Sequence, residues 1–291
     1  MHYTPSPPPA PTPAQRPRPY HWKKDVTNYY DAVLDDKDFH IRKTWCHVLG
    51  QYLDDKDVRA THIVPWFLNM PKISQVLFGN KWEPLLGPSN SLLMGGNIKL
   101  WFDKFQLVIV PVRLGQLPIQ WRAELLDSAI LRKFVFPLKQ QSALDFNSVN
   151  DRILSFCGDS RPDPRYLYLH FLIALIRLKA MNKPGWQQRW ARFRAIKPFN
   201  DVGAFIDTNV LAILVAQFGN GRASLPTDLR LVTDFLRTNS VARPISMDAR
   251  AFCIFGQEAR LAIEEKAASN IVLEDEEAED RKSAPGWIEN V

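Results

Sequence analysis

The 291-residue chain predicts an α+β fold, with a small core of short strands and turns followed by a mainly α-helical lobe. Two changes of texture along the chain predict it. From Cys46 to about residue 115, breaks such as Leu49-Gly50, Asp54-Asp55, Pro65, Phe78-Gly79, Gly87-Pro88 and Gly95-Gly96 separate short apolar segments, the pattern of strands joined by tight turns. After about residue 120 the apolar residues recur near the 3.6-residue spacing of a helix face. A 46% apolar content with nine Trp supplies a sizeable core for both parts.

Residues 1–24 carry eight prolines between positions 4 and 19. Such a run cannot donate backbone hydrogen bonds regularly and buries little, so a disordered, extended arm is expected, which could offer a polyproline ligand to an SH3-like protein partner. The aromatics and the pattern around Val33, Phe39, Ile41 and Trp45 bring the chain into a compact domain assigned to residues 25–140. Within it, residues 97–103 read as a helix of one or two turns. Residues 105–111 are apolar, β-branched and stopped by proline, which predicts a strand. Helices are expected over 120–126, 163–180, 186–196, 202–218, 227–237 and 247–268, broken by Lys183-Pro184-Gly185 and Gly219-Asn220-Gly221, and the helical lobe is assigned to 141–268. Residues 269–291 form an acidic tail expected to be disordered.

The formal net charge is +6, but the stretch from Glu274 holds seven acids against Arg281 and Lys282, which leaves the residues before it at +11. A basic body favours a polyanionic partner such as DNA or RNA through counterion release, and the acidic tail could compete for the same surface. Three widely spaced cysteines, Cys46, Cys157 and Cys253, make neither a disulfide framework nor a zinc pattern, which suits a reducing compartment. The N-terminus lacks the charged and apolar regions of a secretory signal, and the longest apolar run, 166–181, is interrupted by His170, Arg177 and Lys179. An intracellular protein, nuclear or cytoplasmic and without a membrane span, is expected.

Three residues draw attention through their order in the chain. His62 sits between Ala60-Thr61 and Ile63-Val64, ahead of Pro65, where an imidazole is most often a core residue bonded to a carbonyl. Asn90, in Pro88-Ser89-Asn90-Ser91, has the character of a turn residue. Asp103 ends the short helix beside Lys104, where an exposed acid is ordinary. Farther on, Trp186 to Arg194 interleaves cations and rings; helical spacing puts Trp186, Trp190 and Phe193 on one face, a buried stripe with solvated arginines and a secondary candidate for nucleic-acid binding.

Six pieces in sequence order, Cys46-His47-Val48-Leu49-Gly50, Thr61-His62-Ile63-Val64-Pro65, Leu77-Phe78-Gly79, Asn90-Ser91-Leu92-Leu93-Met94, Ile98-Lys99-Leu100-Trp101-Phe102-Asp103 and Ile109-Val110-Pro111, together resemble the HNH nuclease domains carried by many fungal proteins. The resemblance covers about 70 of the 291 residues. It implies a ββα-metal core, a hairpin and helix holding one divalent cation, Mg or Mn, that hydrolyses nucleic-acid phosphodiesters. His62 would be the general base and Asn90 the residue that ties down the loop and orients it. Where the family places a metal-binding histidine on the helix, this chain has Lys99, which cannot ligate a cation while protonated. Asp103, one turn on, offers a hard oxygen as the substitute metal ligand. Lys99 and Lys104 are then candidate nucleic-acid contacts, and the alternative function is a catalytically degenerate HNH-like module, a pseudoenzyme that binds nucleic acid or a protein partner. Asn97 and His47 are second-rank ligand candidates.

Overall fold

A computed structural model describes residues 22–36, 41–64, 85, 87–112, 118–126 and 149–199. Residues 1–21 of the Pro-rich arm, the acidic tail and the helices expected at 202–218, 227–237 and 247–268 lie outside them, as does Leu77-Phe78-Gly79, whereas residues 22–24, assigned to the disordered arm, begin a helix.

The first element, helix α1 (Trp22–Tyr29), buries Trp22 and Val26, one turn apart, and Tyr30 continues the same stripe. Two polar contacts fasten it: Lys23 meets the Asp55 carboxylate at 3.0 Å, and the Tyr30 hydroxyl donates to the Ser91 carbonyl at 2.8 Å. Next comes an antiparallel meander of β1 (Val33–Asp36), β2 (Ile41–Cys46) and β3 (Gln51–Asp54). The turn between β2 and β3 closes when the Gly50 N–H donates to the Cys46 carbonyl at 2.8 Å, with Gly50 at φ +62°, a conformation that costs a residue with a side chain.

Strand β4 (Val58–His62) pairs antiparallel with β5 (Ser91–Gly95), in a register running from Val58 opposite Gly95 to His62 opposite Ser91. The chain then passes directly into helix α2 (Gly96–Asp103), completing a β-hairpin-plus-helix unit. Helix α2 ends in a Schellman turn: the Phe105 N–H reaches the Phe102 carbonyl and the Gln106 N–H reaches the Trp101 carbonyl, both at 2.9 Å. Glycine usually fills the left-handed position there, but here Phe105 does, at φ +58°. Its ring is held against His170, so packing offsets the backbone strain.

Strand β6 (Leu107–Pro111) pairs antiparallel with β7 (Trp121–Leu125). The helix expected at 120–126 is therefore a strand. Trp121, Ala123 and Leu125 alternate with Arg122 and Glu124, a period of two that a short apolar run disguises and that the β6 ladder realises. The strand expected at 105–111 and the short helix at 97–103 are found, each within two residues of the expected bounds.

Helix α3 (Pro164–Ala180) is capped by the Asp163 carboxylate, which accepts from the Arg165 N–H at 2.8 Å. It is apolar on nearly every side and accordingly buried on nearly every side. Asn182 and Gly185, both at positive φ, turn the chain into α4 (Trp186–Ile196), which buries Trp190 and Phe193. One hydrophobic core runs from Cys46 to Phe199, so α3 and α4 share it with the hairpin, α2, β6 and β7. A second, smaller cluster joins Trp22, Val26, Tyr30 and Ala32 of the α1 region to Val58, Ala60 and Leu93. The fold is thus α+β, with a small strand-rich core and helices packed upon it. No helix among the described residues is long and apolar enough to cross a membrane.

Candidate functional site

The hairpin β4–β5 is covered on both faces, and side chains alternate between them along each strand. Val58 and Ala60, with Leu93 opposite Ala60, pack under α1. By the same alternation His62 belongs to that face, and its imidazole lies parallel to the Trp22 indole with ring centroids 3.8 Å apart and planes 6° from parallel. His62 is 5% exposed and Trp22 is 7% exposed.

Thr61 points the other way. Its hydroxyl donates to Oδ1 of Asp103 at 3.0 Å, and Lys99, one helical turn before Asp103, places its ammonium 2.8 Å from Oδ2. The spacing of four residues on α2 brings these two side chains onto one face, as expected from sequence. Both oxygens of the Asp103 carboxylate are thereby engaged, and the pair is mostly shielded: the side chains are 24% exposed for Lys99 and 10% for Asp103.

The structure therefore brings Thr61, Lys99 and Asp103 together and puts His62 on the opposite face of the hairpin. Lys104 follows Asp103 as the residue that caps α2. Asn90 is completely buried, and its side chain acts as an extra rung of backbone: Oδ1 accepts the Val64 N–H at 2.8 Å, while Nδ2 donates to the carbonyls of Val64 at 2.7 Å and Leu85 at 2.8 Å. The Ile63 N–H donates to the Asn90 carbonyl at 3.0 Å, so the segment just after His62 is gripped by both backbone and side chain.

His47 is a structural histidine. Its Nδ1 accepts the Leu93 N–H at 3.1 Å, which leaves the proton on Nε2, and the ring packs edge-on to Tyr30 at 4.4 Å. Complete burial, reinforced by the charge of Arg161, lowers its pKa to about 3, so it stays neutral. Asn97 lies in the first turn of α2.

Three contributors were not legible beforehand. Trp22 carries no motif, and only the folded chain places it on His62. His170, from the middle of α3, stacks on Phe102 at 3.9 Å and lies within 3.0 Å of the Phe102 carbonyl, so it buttresses the end of α2 that bears Asp103. Glu124, 1% exposed on β7, receives the Arg192 guanidinium of α4 through bonds of 2.8 and 3.1 Å and also pairs with Arg122. An Arg-x-Glu alternation is the only sequence trace of that link.

The donor set does not suit a divalent metal. Among the described residues no group of three or more His, Cys, Asp or Glu side chains is placed to hold one. The Asp103 carboxylate already receives an ammonium. A dication about 4 Å from that ammonium would be repelled by roughly 8 kcal/mol at an effective dielectric of about 20.

Residues 46–110, from the last residue of β2 into β6, match the family model of HNH endonucleases. No curated protein and no solved structure matches the chain. The hairpin-plus-helix unit is thus similar to an HNH endonuclease domain over a span that contains Thr61, His62, Asn90, Lys99 and Asp103.

Proposed function

We propose that the HNH-like unit binds nucleic acid without cutting it, the ammonium of Lys99 standing where a metal-dependent relative would hold its cation. The observation that carries this reading is the closed trio in which Thr61 and Lys99 occupy both oxygens of Asp103. A lysine ammonium attracts a phosphate oxygen as a point charge and fixes its position, but it generates no hydroxide nucleophile. The stack of Trp22 on His62 supports the same reading, because a general base must come within hydrogen-bond reach of the proton it takes, directly or through one water. His62 and Asn90 then serve the frame, Lys99 and Lys104 contact the phosphate backbone, and no resident Mg or Mn is required.

A second reading, metal-dependent phosphodiester hydrolysis with His62 as base, is favoured by the family match and by the Asn90 clamp just beyond His62. It requires Lys99 to leave Asp103 and Trp22 to leave His62.

Incubation of the purified chain with plasmid and Mg or Mn, beside His62→Ala, separates the two. Salt-sensitive band shifts without nicking in either protein, and weaker shifts for Lys99→Gln, support the binding module. Nicking that disappears in His62→Ala overturns it in favour of the enzyme.

A further inference from the structure

The three-stranded meander turns one face to the core and one outward. Thr44 and Cys46 of β2 are completely buried, and Leu53 of β3 packs inward with them. Alternation along the strands puts Leu34 of β1, Lys43 and Trp45 of β2, and Tyr52 and Asp54 of β3 on the other face. Leu34 is 48% exposed, Asp54 is exposed, and Trp45 and Tyr52 are half-buried. The two aromatic residues stand directly opposite each other in the ladder, with ring centroids 4.9 Å apart and planes 75° from parallel. They form an open corner, not a sealed stack. Residues 155–158 border it: the Trp45 indole N–H donates to the Ser155 carbonyl at 2.8 Å, and the Tyr52 hydroxyl lies 3.7 Å from the sulfur of exposed Cys157.

The charge around this corner is opposite in sign to that of the whole chain, which is +6. Exposed Asp31, Asp54 and Asp159 outnumber half-buried Lys43 and Arg161. Lys43 stands opposite Asp54 in the ladder, and the Arg161 guanidinium is taken up by the Phe156 ring, 4.5 Å away, and by the Gly158 carbonyl at 2.6 Å. The hydrogen bond with the Cys157 thiol raises the pKa of Tyr52, and burial and the Asp31 carboxylate add to the rise, so the Asp31 charge lies near the ring.

An acidic aromatic face disfavours a nucleic-acid strand, whose stacking platforms are lined with cations. It suits a basic segment with flat apolar rings. Proline-rich strands dock in aromatic-lined grooves because the polyproline II form is preset and loses little entropy on binding. This chain contains such a segment: residues 5–19 hold eight prolines with Arg16 and Arg18, and no acid precedes Asp25. The segment leads to Trp22 at the start of α1, and just past the other end of α1 Tyr30 lies 5.8 Å from Phe156, at the border of the corner. The eight residues of α1 span about 12 Å. At about 3.1 Å per residue, about five residues in polyproline form cover that distance, which brings the prolines before Arg16 within reach.

We propose that the Trp45–Tyr52 face of the meander is the docking site of the chain's own proline-rich segment, residues 5–16, with the carboxylates of Asp31 and Asp54 answering Arg16. The site holds whether the HNH-like unit cuts nucleic acid or only binds it.

Two readouts on the full-length chain test it, each comparing the parent with Pro8→Gly/Pro9→Gly/Pro11→Gly/Pro13→Gly. Alkylation of Cys157 by iodoacetamide, followed by peptide mass spectrometry, is expected to be at least threefold faster in the quadruple variant, because the docked segment covers the border of the corner. A fluorescein-labelled peptide of residues 4–19 is expected to bind the variant at least tenfold more tightly, because in the parent the chain's own segment competes at an effective concentration of about 1 mM. Both differences should vanish when Tyr52→Ala, or Asp31→Asn/Asp54→Asn, is added to each protein. Asn tolerates the left-handed conformation of Asp31, at φ +51°, and none of these side chains is buried, so thermal melting should match the parent. Unchanged alkylation together with unchanged peptide binding overturns the proposal. Differences that survive Tyr52→Ala also overturn it, since the segment would then dock elsewhere. Binding of an oligothymidylate that is lost in Tyr52→Ala, with no effect of the proline changes, overturns it in favour of single-stranded nucleic acid.

Discussion

Thr61 and His62 are neighbours in sequence with opposite surroundings. On the α1 face of the hairpin, His62 lies in an aromatic and aliphatic cluster, parallel to an indole. On the α2 face, Thr61 joins a hydroxyl–carboxylate–ammonium trio. A hydrolytic centre of the expected kind needs the imidazole and the carboxylate at one scissile phosphate. This fold gives each a separate partner on a separate side, and the comparison teaches that neighbours on one strand can face unrelated environments once different helices cover the two faces of the hairpin.

The comparison breaks most completely at Trp22. Trp22→Ala removes a buried indole from the α1 face alone, and a loss of about 3–5 kcal/mol in denaturant unfolding is expected. If the variant remains folded, His62 should become open to diethylpyrocarbonate, read by peptide mass spectrometry, while Lys99 and Asp103 keep their contact. Carbethoxylation of His62 at the parent rate would show that the indole does not shield it.

Asn90→Ala strikes the frame that both faces share. It leaves the Val64 N–H and the carbonyls of Val64 and Leu85 without their side-chain partner, so a cost of about 3 kcal/mol is expected, at about 1 kcal/mol per bond. A loss below about 1 kcal/mol would mean that water replaces the amide.

His47 sharpens the picture of the α1 side through pH. Its folded pKa is about 3, below the ordinary histidine value near 6.5, so between those values the unfolded chain binds a proton that the folded chain refuses. The stability due to its neutrality is present above about pH 6.5 and is lost as pH falls toward 3, at up to about 1.4 kcal/mol per pH unit for this one proton. His47→Leu should lower stability at neutral pH, because the Leu93 N–H loses its acceptor, and should remove one proton from the acid slope. An unchanged slope would assign the acid sensitivity elsewhere.

The smallest effect belongs to the trio itself. Thr61→Val removes one hydrogen bond to Asp103, and about 1 kcal/mol is expected by thermal or denaturant unfolding. Lys99→His tests the trio differently: replacing the ammonium by a neutral imidazole should create affinity for Mn that the parent chain lacks, read by electron paramagnetic resonance of the free ion. Equal Mn binding by both proteins would show that Lys99 does not exclude the metal.

Much of the local structure was legible. The run after Phe105 ending at Pro111 announced β6, the 3.6-residue period announced α3 and α4, and the four-residue spacing put Lys99 beside Asp103. The β7 segment was misjudged because the seven residues 120–126 are too few for their apolar positions to separate a helix period from a strand period, and only the β6 ladder decides between them. Helix α1 was also missed, since its short stripe of Trp22, Val26 and Tyr30 follows directly on a proline-rich arm.

Residue order by itself determined strand β6, helices α2, α3 and α4, the shared helical face of Lys99 and Asp103 and the basic span from Arg165 to Phe199, because β-branched runs, helical spacing and charge are local properties of a chain; the hairpin-plus-helix frame and the departure at Lys99 came from the resemblance to HNH domains. Only the tertiary structure decided that Trp22 covers His62, that Glu124 receives Arg192, and that Thr61 rather than His62 meets Asp103. Those outcomes depend on which face of a strand another element covers, and distant segments settle that by burying apolar surface against one another.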